Sequence, residues 1–343
     1  MRDPIVHRES TKILANAYSP TSLLAYEPAH RREKPIDLGA WMSYYTFDVI
    51  GQLSFSKMFG FLEKGCDVDR IIETIDIILT YASQCAVNGW LVGNTSLRKG
   101  RRRARSLDIE SRGDMLTKWY ALNQNGSQWM TTKHLVAHLS ANVYGGSDTT
   151  SIALRSIFYY LGKNKDKMRK LVEEIDGAAA AGNLSQPVSF KEANMHLPYL
   201  NAVIKEGMRI HPSAGLIYER YVPSGGDTIC GKYIPGGTVV GINPWVTQYD
   251  PEVFPDPESF IPERWLDSTE EQLKRMEQSF FNFSAGSRTC LGRHIAMIEM
   301  SKMIPELLRR FELILTYPDR EWETRNVWLV KQKGVIYNIT KRS

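Results

Sequence analysis

Apolar residues recur at intervals of three and four through most of the first two hundred residues, the period of helices that bury one face. Ile71, Ile72, Ile75, Ile78 and Leu79 form one such run. The most continuous apolar stretch, Ile75 to Val92, is interrupted by Asp76, Gln84 and Asn88, which predicts a core or partly exposed helix and not a membrane span. The longest helical pattern runs from Thr131 to Leu161; Thr131 or Thr132 can cap its start and Gly162 can end it. At 1.5 Å per residue it would cover about 45 Å. Gly145, Gly146, Ser147, Thr149 and Thr150 sit in its middle, and such poor interior residues predict a local disruption there.

Two further helical patterns follow, Lys165 to Ala180 and Pro198 to His211, and then the character of the chain changes. Eight of the sixteen prolines lie between Pro212 and Pro262. Short strand-like runs such as Thr238-Val239-Val240 are punctuated by Gly225-Gly226 and Gly236-Gly237, which read as turns. A last helix is predicted from about Gly292 to Phe311, and a strand-like tail from Val327 to Tyr337. The pattern predicts a mainly α fold with a minor β part.

Composition adds exclusions. The chain has 343 residues, room for one large domain or two ordinary ones. Hydrophobic residues are 43% and charged residues 24%, which fits neither global disorder nor a fibre. A net charge of +5 over this length is too small to indicate a nucleic-acid partner. Arg98 to Arg105 holds six basic residues in eight without interleaved aromatics, the pattern of a solvated loop that could lie near anionic lipid. Cys66, Cys85, Cys230 and Cys290 are too far apart for zinc spacing or a disulfide framework. Neither a signal core at Met1-Arg2-Asp3-Pro4 nor a run of eighteen apolar residues is present.

One stretch carries chemistry. In Phe283-Ser284-Ala285-Gly286-Ser287-Arg288-Thr289-Cys290-Leu291-Gly292 a glycine-bearing loop leads into a helix. A helix start favours a thiolate at Cys290, and Arg288 adds a positive charge nearby. The glycines let backbone lie close to a flat ligand. A cysteine taken alone is more often a small buried hydrophobe.

This loop resembles the haem-binding signature of the cytochrome P450 superfamily, Phe-x-x-Gly-x-Arg-x-Cys-x-Gly, at each of its five fixed positions. Three more matches precede it in the family's order. Gly145-Gly146-Ser147-Asp148-Thr149-Thr150 resembles the oxygen-binding motif of the long central helix. Glu206-Gly207-Met208-Arg209 resembles Glu-x-x-Arg, and Pro262-Glu263-Arg264-Trp265 resembles Pro-Glu-Arg-Phe/Trp. Ala15 to Ser19, Asp48 to Gly51, Glu219 to Pro223 and Ser279 to Phe281 resemble the fungal subgroup around pisatin demethylase.

The resemblance implies one cytochrome P450 domain over residues 1–343 and a haem b (iron protoporphyrin IX) cofactor. The implied activity inserts one oxygen atom from O2 into a small organic substrate in fungal secondary metabolism. It implies electrons from an NADPH-cytochrome P450 reductase, and a place at the cytoplasmic face of the endoplasmic reticulum. By this likeness Cys290 is the iron ligand, whose thiolate favours O–O cleavage. Phe283, Gly286 and Gly292 shape its loop, and Gly145 and Gly146 leave space over the haem. Thr149 holds oxygen and water, and Asp148 connects that pocket to a proton supply. Arg220 and Arg288 fall where haem-propionate partners stand. Glu206, Arg209 and Arg264 form a buried charge network. Ser213 to Leu216 and Ala141 to Tyr144 line the substrate pocket.

The family's N-terminal anchor and first helices are expected to be missing. The Trp-x-x-x-Arg haem contact falls on His7 and Thr11, with Lys12 following. A shortened, non-catalytic haem-binding protein is therefore the alternative, and a member that rearranges or dehydrates its substrate without O2 is a second. His134 and His138, four apart, are read as ordinary helix histidines because no zinc-protease glutamate follows His134. The sequons at Asn94, Asn125, Asn183 and Asn338 are read as chance.

Overall fold

A computed structural model describes residues 35–88, 114–124 and 131–342; for 82–88 and 122–124 it describes the helical backbone alone. The expectations placed on His7, Thr11, Lys12, Ala15 to Ser19, Arg98 to Arg105, Asn94 and Asn125, and on the side chain of Cys85, lie outside these residues.

Helix α1, Leu38–Phe55, starts where the Asp37 carboxylate accepts from Ala40 N at 3.0 Å and stops at Ser56, whose left-handed φ of 52° turns the chain. It is buried nearly all round, as a core helix must be when apolar residues occupy every face. Helix α2, Ile71–Asn88, follows, and then helix α3, Thr132–Lys163, at 32 residues about 48 Å long. Thr131 caps α3 by accepting from His134 N, while His134 Nδ1 accepts from Thr131 N, which accounts for His134. His138 packs edge-on against Trp119 at 5.7 Å, and no metal-binding cluster exists among the described residues. Leu135, Leu139 and Val143 are the buried positions of the first half of α3; from Ser147 to Gly162 most of its residues are buried.

Two expectations about α3 are corrected. Its helix runs unbroken through Gly145 to Thr150. The Thr149 and Thr150 hydroxyls donate back to the carbonyls of Gly145 and Gly146 at 2.6 and 3.0 Å, so the polar groups are satisfied along the helix without breaking it. Gly162 does not end it either: Asn164 does, and a Cβ on Gly162 would lie 2.2 Å from the Tyr337 hydroxyl oxygen. That glycine marks a close approach of the tail, not a stop.

Helices α4, Lys165–Ala180, and α5, Pro198–Ile210, match the predicted spans to within a residue. A Cβ on Gly207 would lie 2.4 Å from Ile157 Cγ1, so α5 seats directly on α3, with Ser156 Oγ donating to the Gly207 carbonyl at 2.7 Å. Helix α6, Arg293–Arg310, closes the core with an unbroken buried run from Ile298 to Leu308. The β part is small and antiparallel. Strand β1, Ile36–Asp37, pairs with the tail strand, Ile336–Lys341, which also pairs with Phe311–Leu315. Tyr218–Tyr221 pairs with Val239–Ile242, Asp227–Ile229 with Lys232–Ile234, and Glu323–Val327 with Leu329–Lys333. The turns fall where predicted, with Gly226 N donating to Pro223 O and Thr238 N to Pro235 O. One hydrophobic cluster runs from Leu38 through α3, α5 and α6 to Tyr337.

Candidate functional site

Glu206 and Arg209 sit one turn apart on α5, both without solvent exposure. Arg209 makes a two-pronged pair, Nε to Oε2 and Nη2 to Oε1, both at 2.9 Å. Arg264 Nε reaches Glu206 Oε1 at 3.1 Å, and Trp265 Nε1 and Ile261 N donate to the same carboxylate. Carbonyls of Gln248, Pro257 and Ser259 take the other three hydrogens of Arg209, and those of Pro255 and Asp256 take two more of Arg264. The two guanidiniums share one carboxylate and each group is hydrogen-bonded, which is what makes burying three charges tolerable. The proline-rich segment is pinned to α5 by this network.

Gln248 extends the network to the cysteine loop. It is fully buried; its Nε2 donates to Arg209 O at 2.9 Å, and its Oε1 accepts from Phe281 N at 2.9 Å and Asn282 Nδ2 at 3.0 Å. Nothing in the sequence marks a lone glutamine for this task. The loop then turns back on itself: Ser284 and Gly286 adopt left-handed φ values of 56° and 66°, Thr289 N donates to Gly286 O, and Cys290 N donates to Phe283 O at 2.9 Å. Cys290 is thereby held just ahead of α6 with its sulfur exposed.

That sulfur faces a cavity of about 380 Å³. On the loop side its wall is Phe283, Arg288, Cys290 and Gly292; on the α3 side it is Gly145, Gly146, Thr149 and Thr150. A Cβ on Gly145 would meet nothing within 4 Å, so this glycine opens onto the cavity; one on Gly146 would stand 3.0 Å from Ile50 Cδ1. Ala141, Asn142, Ser213 and Ala214 line it as expected, whereas Val143 and Tyr144 pack into a side cluster and Leu216 is exposed. Arg220 lies outside this wall and braces the loop, donating to Ser284 Oγ at 3.0 Å and to Ala285 O at 3.4 Å. Tyr218 and His211, missed in the sequence, also line it. Burial, aided by the neighbouring Cys290, pushes the Tyr218 phenol up to about 12, so it stays a neutral donor.

Asp148 is not part of this cavity. Neighbours on a helix point about 100° apart, and here that rotation takes Asp148 away from the face of α3 that carries Gly145, Gly146, Thr149 and Thr150. Asp148 is buried on the other side of α3, its Oδ2 2.8 Å from Lys331 Nζ, in a second cavity of about 450 Å³. Burial raises its affinity for a proton; Lys331 opposes that, Asp76 adds to it and Arg155 opposes it.

Residues 94–338 match the family description "Cytochrome P450". The chain belongs to the cytochrome P450 family. It is 38% identical to a cytochrome P450 monooxygenase of Aspergillus terreus over 91% of this chain and 72% of the relative. Identity is 33% to the cytochrome P450 monooxygenase ACRTS1 of Alternaria alternata, covering 97% of this chain and 99% of that protein. It is 32% to the cytochrome P450 monooxygenase cicH of Emericella nidulans, covering all of this chain and 76% of that protein. The mainly α architecture with small antiparallel sheets is the cytochrome P450 fold, and the chain is a monooxygenase with a haem-thiolate cofactor. The residues present fit that cofactor: a soft sulfur donor at a helix start, a guanidinium in the same chamber, and a glycine opposite that leaves the chamber open. No helix among the described residues is long and apolar enough to cross a membrane.

Proposed function

We propose that this cytochrome P450 inserts one oxygen atom from O2 into a small organic substrate of fungal secondary metabolism. It would draw electrons from an NADPH-cytochrome P450 reductase at the cytoplasmic face of the endoplasmic reticulum. The observation that carries the reading is that Cys290 and Thr149, from segments 141 positions apart, line opposite walls of one chamber. In this reading residues 1–343 act as one domain. Haem, when bound, supplies the oxygen-activating chemistry; the chain's own residues hold it and control water and protons around it.

Cys290 is the iron ligand, its sulfur held just ahead of α6. Phe283, Gly286 and Gly292 give its loop its shape, and Arg288 and Arg220 offer guanidiniums to carboxylates at the rim. Gly145 would leave room for the haem beside α3, while Gly146 lets α3 approach Ile50 on the same wall. The Thr149 hydroxyl, whose hydrogen goes to Gly145 O, presents its lone pairs to the chamber, where it accepts from water and holds it in place. Glu206, Arg209 and Arg264, through Gln248, keep the loop in register with α5.

The test is a carbon-monoxide difference spectrum of the reduced protein, with Cys290→Ala beside it. A red-shifted Soret band in the parent that Cys290→Ala loses is the expected result. Haem binding without NADPH consumption alongside the reductase would favour the non-catalytic alternative. Product bearing no label from 18O2 would exclude oxygen insertion.

A further inference from the structure

A row of aromatic rings starts at the wall of the Cys290 chamber and leads away from it. His211, which lines the chamber, lies between two indoles, its ring centroid 5.0 Å from that of Trp245 and 4.9 Å from that of Trp322. Trp322 stacks on Tyr159 at 3.9 Å with the planes 14° apart, and Trp245 stacks on Tyr249 at 5.9 Å. The two branches end differently. The buried Tyr159 hydroxyl donates to Glu321 Oε2, on a side chain that is 76% exposed, whereas the Tyr249 hydroxyl donates to the Ile210 carbonyl. A carboxylate can take over a proton outright; an amide carbonyl cannot. Arg209 stands 5.8 Å from the Tyr249 ring and opposes positive charge there. Lys163 stands 5.4 Å from the Tyr159 ring, but its ammonium is paired with Glu321 Oε1 at 2.6 Å. His211 itself adds no charge between the indoles, since burial keeps it neutral down to about 4.

We propose that Trp322 and Tyr159 carry an oxidising equivalent out of the chamber when no substrate consumes it, with Glu321 as the proton acceptor at the surface. In each passage Trp322 gives one electron toward the chamber, past His211. Tyr159 restores it by giving one electron to the indole, while the hydroxyl proton of Tyr159 moves to Glu321 Oε2. The neutral phenoxyl left behind takes one hydrogen atom from a thiol in solution, and Glu321 releases its proton to water, so each residue of the route returns to its starting state. Loss of that proton leaves no positive charge on Tyr159 beside Lys163. Burial, aided by Glu321, pushes the Tyr159 phenol pKa up, so the electron leaves a neutral phenol together with its proton and not a phenolate. Only the presence of haem in the chamber, where the oxidant arises from O2 or peroxide, is taken from the functional reading.

The test treats the haem-loaded protein with hydrogen peroxide, without substrate or reductase, and reads freeze-quenched samples by electron paramagnetic resonance. The parent should give a tyrosyl signal. Tyr159→Phe should lose it and leave an indolyl signal, and Trp322→Phe should lose the Tyr159 signal. Glu321→Gln, at the exposed end where little folding energy is at stake, should shift the signal from tyrosyl to indolyl, which keeps the test sharp if a ring substitution folds poorly. Bleaching of the Soret band by the same peroxide should be several-fold faster in Trp322→Phe and Tyr159→Phe, while Trp245→Phe should match the parent. A tyrosyl signal that survives Tyr159→Phe, or that Tyr218→Phe on the chamber wall removes instead, overturns the proposal. So does an unchanged tyrosyl signal in Glu321→Gln, or a parent that shows the carbon-monoxide band but no tyrosyl signal. Failure of the oxygen-insertion reading would show separately, as product without 18O label, while the peroxide experiment still reports on Trp322 and Tyr159.

Discussion

At the residue scale, His211 shows what burial does to a titratable group the chemistry does not use. Its Nε2 donates to Val330 O at 2.9 Å, and Trp245 and Trp322 flank its ring at 5.0 and 4.9 Å. Burial draws its pKa down from 6.5 to about 4, against the pull of the Val330 carbonyl. The unfolded chain therefore takes up a proton between these values that the folded chain refuses, so stability falls as pH drops from 6.5 toward 4. The loss approaches about 3 kcal/mol at the acid end. Urea midpoints at pH 7 and pH 5 should separate for the parent and converge for His211→Gln; equal acid losses in both would assign the effect elsewhere. Glu206 is the opposite case, a charge the fold depends on. Glu206→Gln leaves Arg209 and Arg264 buried without a counter-charge and should cost about 3–5 kcal/mol in denaturant unfolding. A loss under about 1 kcal/mol would show that the carbonyl partners suffice.

At the element scale, two glycines of α3 do opposite work. Gly145 faces open space, so Gly145→Ala should raise the thermal stability of the haem-free chain by about 1 kcal/mol through helix propensity, while putting a methyl into the chamber. Gly162→Ala should cost about 1–3 kcal/mol, because its methyl meets the Tyr337 hydroxyl and Leu315 Cβ. Calorimetry of the two variants gives opposite signs if these environments are right. Sequence propensity treated both as breaks in the helix. The reason for the error is physical: whether a missing Cβ is a weakness or a fit depends on what stands opposite, and the tail strand stands opposite Gly162 only after folding. The helix spans themselves were legible because a period of three and four survives whatever the partners are, and because the Thr131 cap acts locally.

At the scale of the whole molecule, stability is unevenly spread. Helices α1, α3, α5 and α6 share one buried cluster, whereas the hairpin Asp227–Ile229 with Lys232–Ile234 has no buried residue. Hydrogen exchange should therefore be fast in that hairpin, by local opening, and slowest in α3 and α5 from Ser147 to Arg209. Comparable protection in both regions would mean that the hairpin is covered by another surface. The four family motifs lie far apart in the chain, yet carbonyls between Pro255 and Ser259 tie the charge network to the proline-rich segment, and Gln248 joins it to the cysteine loop. Most of those joints end on backbone atoms, which every residue carries, and so leave little mark on the sequence.

The chain's order of residues by itself determined the helix-rich class, the family and the identity of the sulfur donor, because helical periodicity and a five-position loop are local properties. Tertiary structure alone decided which side of α3 each polar residue serves. Asp148 and Thr149 are neighbours in sequence, but a helix turns them into different cavities, and Lys331, 183 positions away, claims the carboxylate.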